Sequence, residues 1–203
     1  MNLSDNAQAP PSSLSLPPRG LMRRALQSPV LLYRLGLGWL LPPTIMLLTT
    51  KGRRSGRPHT AALESRRHGS KLYVVSIWGR QADWYQNLLA DPVVRVQQGG
   101  RSFVARAQPI NDADELWRVL HLFRKGNPLL DPILEGTTGL STSATPDDLH
   151  LSRERLAGVR LRTSGEPGPP GIQADLAWAW GVLLVILIGL AALIWRRAGQ
   201  RHT

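Results

Sequence analysis

A chain of 203 residues with 42% hydrophobic content has room for one domain of ordinary size and short appendages. With no cysteine it has no disulfide framework, thiol nucleophile or thiolate metal site, and its histidines (His59, His68, His121, His150, His202) lack the paired spacing of a metal centre, so redox work requires a bound organic cofactor. The net charge of +11 implies attraction to anions without choosing among nucleic acid, anionic lipid and an acidic small molecule.

Residues 1–20 hold Pro10, Pro11, Pro17, Pro18 and several serines. They carry too little apolar surface to offset the entropy of ordering and read as a disordered leader, without the basic start and apolar centre of a secretory signal. From Leu21 to about Leu40 the apolar positions and Arg23, Arg24 and Arg34 follow a helical pattern that Pro42-Pro43 stops. Strands are expected near 44–50, 58–66, 71–78, 92–98 and 101–109, with a short helix around 82–90 and a longer one from about 111 to 125. Asp112 is a helix cap and Gln98-Gly99-Gly100 a hairpin turn. Residues 126–150 thin into Pro, Gly, Ser and Thr, which predicts mostly loop with a helical turn near 129–135. A closing strand over 156–162 would end the domain near Thr163, and hairpins with few helices imply an antiparallel sheet or barrel.

Composition then breaks. Residues 164–175, rich in Pro and Gly, read as a linker. Leu176 to Trp195 carries no formal charge, and at about 1.5 Å per residue such a helix spans the roughly 30 Å of a hydrocarbon core. Trp178, Trp180 and Trp195 sit where interfacial aromatics sit, and Arg196-Arg197 opens a basic tail over 196–203. The expectation is a single-pass protein anchored by a C-terminal transmembrane helix, with the lipid bilayer as a partner. Basic residues flank both ends of the segment, so the charge rule leaves its orientation open.

The run Thr49-Thr50-Lys51-Gly52-Arg53-Arg54-Ser55-Gly56-Arg57-Pro58 places four cations on a turn directly after an apolar strand. Gly52 and Gly56 tolerate positive φ, and backbone N–H groups freed in such a turn can face an anion. Arg53 and Arg54 add planar donor forks suited to phosphate or carboxylate, and Ser55 a hydroxyl. The plainer alternative is a solvated basic tip. It is not a Walker loop, which needs its Gly-Lys-Ser/Thr before a helix.

Taken in order, Thr-Thr-x-Gly-Arg-Arg-Ser-Gly-x-Pro (49–58), Val-Val-Ser (74–76), Asp-Trp-Tyr-x-Asn-Leu-x-x-Asp-Pro (83–92) and Val-x-Val-Gln-x-Gly-Gly (94–100) resemble the deazaflavin (coenzyme F420)-dependent nitroreductase and quinone reductase family. The resemblance spans about 21–163. It implies an α+β fold, a mostly antiparallel split β-barrel of FMN-binding type with short flanking helices. It also implies coenzyme F420, with FMN as the alternative cofactor, and hydride transfer from the reduced form to an electrophilic acceptor; the expected anchor favours a lipophilic one such as a quinone, with nitro or enone compounds beside it. In this resemblance Arg53, Arg54 and Ser55 fall on the hairpin that binds the cofactor's phosphate and glutamate tail, and His59, Thr60 and Ala61 on the next strand. Val75, Ser76, Ile77 and Trp78 fall on the strand edge along the deazaflavin ring, and Trp84, Tyr85 and Asn87 on the helix closing the pocket. Aromatics at a helix start more commonly pack a core.

Tyr85, Ser76 and His59 are the candidates for proton handling. The family often carries Arg where His59 stands, the 78–84 connection is short, and 127–150 lacks tyrosine, so the pocket wall differs from that of relatives acting on bulky nitro compounds. The resemblance places the domain in the cytoplasm and allows a homodimer, which no residue here establishes. The rival reading is a non-catalytic, membrane-tethered flavin or deazaflavin binder. Nucleic acid is not an expected partner, since aromatics are not interleaved with the basic residues as stacking requires.

Overall fold

The structure, a computed structural model, describes residues 21–76, 78–127, 130–138, 145, 147–148 and 156–199. The leader expected over 1–20, Ile77, most of the loop expected over 127–150 and the last residues of the tail lie outside them.

Helix α1 runs from Leu21–Arg34, followed by strands β1 (Ile45–Lys51), β2 (Pro58–His68) and β3 (Lys71–Ser76). Helix α2 (Asp83–Ala90), β4 (Val93–Gln98), β5 (Arg101–Pro109), α3 (Ala113–Gly126), α4 (Leu130–Thr138), β6 (Ala157–Thr163) and α5 (Ala179–Gly199) complete the order. Among the described residues the six strands close into an antiparallel barrel in the order β1-β2-β3-β6-β5-β4. The closing seam is short, pairing Leu47 with Gln97, Leu48 with Val96 and Thr49 with Arg95. The chain therefore has the expected α+β fold, an antiparallel barrel with short helices.

Period-two alternation explains the two cores. Leu72 and Val74 of β3, Val94 and Val96 of β4 and Val159 and Leu161 of β6 pack together inside the barrel, where Trp84, Tyr85 and Leu88 of α2 join them. The intervening Tyr73 and Val75 meet α3, whose Leu116, Val119, Leu120 and Phe123 recur at helical spacing and form a second cluster with Leu134 of α4. Asp112 caps α3 as expected, its carboxylate accepting the Asp114 N–H at 3.1 Å.

Helix α1 stops earlier than its pattern predicts. Gly36 takes φ +78°, and the Gly36 and Leu37 N–H groups donate to the Tyr33 and Leu32 carbonyls at 3.0 and 2.8 Å, the two bonds of a Schellman cap. The turn Gly38–Leu40 that follows is 3-10.

The segment expected to be a linker is a strap across the barrel's outer face. Gln97 clamps Ile172 by both ends of its amide, at 2.9 Å to the carbonyl and 2.6 Å from the N–H. Arg95 donates to the Pro169 carbonyl at 2.5 Å. Arg106 forks onto Glu166 at 2.7–3.0 Å, and Arg34 onto Asp175 at 2.6 and 2.8 Å. Side chains on adjacent strands thus supply the partners that a Pro/Gly segment cannot find within itself.

The membrane anchor expected over 176–195 is corrected: among the described residues no helix is long and apolar enough to cross a membrane. Helix α5 runs over Ala179–Gly199 and its start is tied to the end of α1: ahead of it the Leu176 N–H donates to the Arg34 carbonyl, and in its first turn Trp180 Nε1 donates to the Leu35 carbonyl, each at 2.9 Å. The bilayer partner and the single-pass localisation fall with the anchor.

The strap's two ion pairs set a pH dependence. Hydrogen bonds from Arg106, then Ser164, hold the Glu166 carboxyl below its ordinary 4.5, and those from Arg34 hold Asp175 below 3.8. A carboxylate depressed by folding contributes stability above its unfolded pKa and loses it as pH falls through the folded value. Strap attachment is expected to be complete near neutral pH and to weaken below about pH 4, read as lower amide protection, relative to intrinsic exchange at each pH, across 164–176 while β4 stays protected. Equal strap protection at pH 3 would show that these pairs do not hold it.

Candidate functional site

Strand β1 is buried through its middle and ends at Lys51, and the chain turns through 52–57 into β2. The Gly52 N–H donates to the Arg57 carbonyl and the Gly56 N–H to the Gly52 carbonyl, both at 2.8 Å. Gly56 takes φ +67°, as its turn position suggested. A Cβ on Gly52 would sit 2.6 Å from His59 Cδ2 and 2.7 Å from Ser55 Oγ, so its lack of a side chain gives these two room. Ser55 Oγ lies 3.3 Å from His59 Nε2 and also accepts the Arg57 N–H at 3.3 Å.

Helix α2 meets this loop from inside the barrel end. Asn87 is 3% exposed, and its Nδ2 donates to Thr50 Oγ1 at 3.2 Å. Its Oδ1 accepts the Arg53 N–H at 3.2 Å and Arg53 Nη1 at 3.0 Å. Arg53 Nη2 reaches Asp83 Oδ1 at 3.1 Å, so this guanidinium lies back along α2. Arg53, Asn87, Thr50 and Asp83 form one connected group that sequence spacing did not reveal, its widest contact, Asn87 to Thr50, joining residues 37 apart.

The loop's donor inventory follows. Its Gly52, Arg53, Gly56 and Arg57 N–H groups are bonded within the protein, whereas, among the described residues, the Arg54 and Ser55 N–H groups have no acceptor there. Neither the Arg54 nor the Arg57 guanidinium meets an acidic partner among the described residues. Two consecutive N–H donors flanked by two unpaired cations suit a phosphate or carboxylate group.

The other expected site residues are placed as follows. Thr60 Oγ1 lies 2.8 Å from Thr49 Oγ1, and Ala61 packs against the barrel core. Val75 faces the α3 cluster, while Ser76, 2% exposed, donates its hydroxyl to the Gly79 carbonyl at 2.8 Å. Trp78 precedes the 3-10 turn Gly79–Gln81, which Gln86 of α2 ties down through the Arg80 carbonyl at 2.7 Å. Trp84 and Tyr85 are 8% and 2% exposed and meet edge to face with centroids 5.8 Å apart. Among the described residues the Tyr85 hydroxyl has no hydrogen-bond partner. A cleft of about 310 Å³ opens between Lys51, Gly56 and Pro58 at the loop base, Asp91, Val93 and strap residues 167–170. The strap's share in that wall was missed because its composition reads as a linker.

Fold and site together define an antiparallel barrel that carries a basic, anion-suited hairpin loop pinned to the helix closing its end. A family model described as F420H(2)-dependent quinone reductase matches residues 33–131, just under half the chain and including the loop, β3 and α2. The chain is also 32% identical over 87 residues to proteins of two Mycobacterium tuberculosis strains (H37Rv and CDC 1551), each named F420H(2)-dependent quinone reductase. That match covers 39% of this chain and 58% of each relative, so the chain spans less than two thirds of their length. Among solved structures, an F420-H2 dependent reductase (FDR-A) is 21% identical with a TM-score of 0.45, covering 60% of this chain and 96% of that one.

The donor inventory has a direct check in a phosphate titration followed by amide NMR. The Arg54 and Ser55 N–H resonances are expected to move most, and those of Gly52 and Gly56, already bonded, least. Uniform shifts across the loop would contradict the assignment of free donors.

Proposed function

We propose that this chain is an oxidoreductase that uses reduced coenzyme F420 and passes a hydride to a lipophilic electrophile of quinone type. The observation that carries this reading is the pinned loop with two free N–H groups and two unpaired guanidinium groups, inside the segment matched by the F420H(2)-dependent quinone reductase model. The cofactor's phosphate and glutamate tail offers the anionic groups such a loop suits.

When bound, reduced deazaflavin supplies the hydride, and a quinone acceptor takes up that hydride and one proton to give the hydroquinone. The chain's own contribution is binding, orientation and exclusion of water. Arg54, Arg57 and Ser55 receive the tail, with His59 beside Ser55. Val75 and Ser76 at the end of β3, Trp78 beyond it, and the α2 residues Trp84 and Tyr85 form the ring end of the site. Of the groups expected to handle a proton, Tyr85 has the uncommitted hydroxyl, whereas Ser76 would first have to give up its bond to Gly79.

Replacing Arg54 and Arg57 together by Ala is expected to weaken F420 binding by at least about 100-fold, since each charge-assisted contact is worth about 1.5–3 kcal/mol, and to leave the melting temperature nearly unchanged. Fluorescence titration of the full chain, followed by single-turnover oxidation of F420H2 with a menaquinone analogue, measures both steps. Absence of F420 binding to the native chain would refute the proposal. Tight binding without any turnover would favour the non-catalytic binder.

A further inference from the structure

The sequence presents Arg53 and Arg54 as an equivalent pair of cations on one turn, but the fold treats them differently. Arg53 is turned back, its side chain 28% exposed, with its backbone N–H and Nη1 both on Asn87 Oδ1 and Nη2 on Asp83. Arg54, the next residue, is exposed as Arg53 is, but has no acidic partner among the described residues. Asn87 is also not a surface amide reaching for a ligand. It is 3% exposed, its Oδ1 already accepts two hydrogen bonds and its Nδ2 already donates one to Thr50.

A buried amide has to spend its donors and acceptors within the protein, and this one spends them on the two ends of a single connection. Thr50 lies in β1, which the barrel fixes on both sides; Arg53 is the first residue of the loop beyond Gly52. One side chain of α2 thereby sets the distance between the end of β1 and the start of the loop. The bond to the Arg53 N–H also removes that donor from the loop's outward set and leaves the Arg54 and Ser55 N–H groups as the consecutive pair. Without it the loop would keep its internal bonds but lose its tie to α2, and fixing its orientation at the moment of binding would carry an entropic cost taken from the affinity.

We infer that Asn87 and Arg53 are positioning residues that clamp the β1–β2 loop to α2 and hold the Arg54 and Ser55 donors and the Arg54 and Arg57 guanidinium groups in place for the cofactor's anionic tail. The inference rests on the F420 reading above and deepens it: tail affinity is governed from a buried amide that does not itself meet the ligand. It also separates two neighbouring arginines by role, Arg53 holding the loop and Arg54 meeting the anion.

The test compares two probes on the full chain, coenzyme F420 and the deazaflavin riboside that lacks phosphate and glutamates. Asn87→Ala is expected to weaken F420 binding about 10- to 100-fold while riboside affinity stays within about 2-fold, because only the tail depends on the loop. Arg53→Ala is expected to behave in the same way. Asn87→Asp keeps an Oδ1 acceptor for both Arg53 donors and is expected to recover most of the lost affinity, which also covers a failure of the alanine variant to fold. In turnover, the KM for F420H2 is expected to rise with kcat at saturation changed less than about 2-fold. Equal losses for both probes, no loss for F420, or an Asp variant as weak as the Ala variant would each overturn the inference.

Amide exchange in the ligand-free protein reads the clamp without any cofactor. Asn87→Asp is expected to leave the Arg53 N–H protected and Asn87→Ala to expose it and its loop neighbours, with barrel amides unchanged. If the native chain binds no F420 yet this pattern is found, the functional reading fails and the clamp stands. Unchanged loop exchange in the alanine variant overturns the clamp itself.

Discussion

The loop end of this molecule depends on β1 being paired on both sides. Its whole length is registered against β2, from Ile45 opposite Glu64 to Lys51 opposite Pro58, while only Leu47 to Thr49 pair with β4. The last two residues therefore run beyond the closing seam and, among the described residues, pair with β2 alone. That overhang brings the Thr50 hydroxyl to Asn87 of α2 and starts the loop at a fixed point over the barrel end. Met46 and Leu48 contribute to the same apolar interior as Trp84, Tyr85 and Leu88, so the position of α2 is set by core packing rather than by the loop. Loop geometry thus inherits the rigidity of the barrel through one short strand end.

Charge is distributed to the same effect. The net +11 is not spread as a uniform field, because many barrel cations are matched individually: Arg34 with Asp175, Arg66 with Glu64, Arg106 with Glu166, Arg124 with Asp131 and Arg160 with Glu115. Arg160 sits in a small network, since Glu115 also accepts the Tyr73 hydroxyl at 3.2 Å and Gln108 accepts Arg160 Nε at the same distance. Arg106 thereby fastens the strap to β5 and Arg160 fastens α3 to β6, while Arg34 ties the strap to α1 and Arg124 joins α3 to α4. At the hairpin the matching stops after Arg53, and Arg54 and Arg57 are left facing outward. Selective neutralisation of this kind turns a general affinity for anions into a local one.

Much of the fold was legible because its signals are local. Alternating Val and Leu in β3 and β4, the Asp112 cap and the four apolar positions of α3 each carry their own periodicity or capping chemistry, and the structure places all of them as expected. The failures share a cause. The strap reads as a linker because Pro and Gly say nothing of Gln97 and Arg95, which hold it from 74 or more residues away. The C-terminal apolar run reads as a membrane span because composition does not show Leu176 and Trp180 bonded to α1's end. Within the proposed site, the motif pointed to the loop and to α2, which the structure brings into contact, but could not rank Arg53 against Arg54, since that difference is made by Asn87 and Asp83 on another element.

The measurement that bears most directly on the central claim is the salt dependence of F420 affinity for the full chain, set beside that of the tail-less riboside. If the pinned loop reads the anionic tail, F420 should bind more tightly than the riboside at low salt, and the difference should shrink steadily as ionic strength rises while riboside affinity stays flat. Two ligands of equal affinity with parallel salt curves would mean that the loop takes no part in binding, and the account of this site would be wrong.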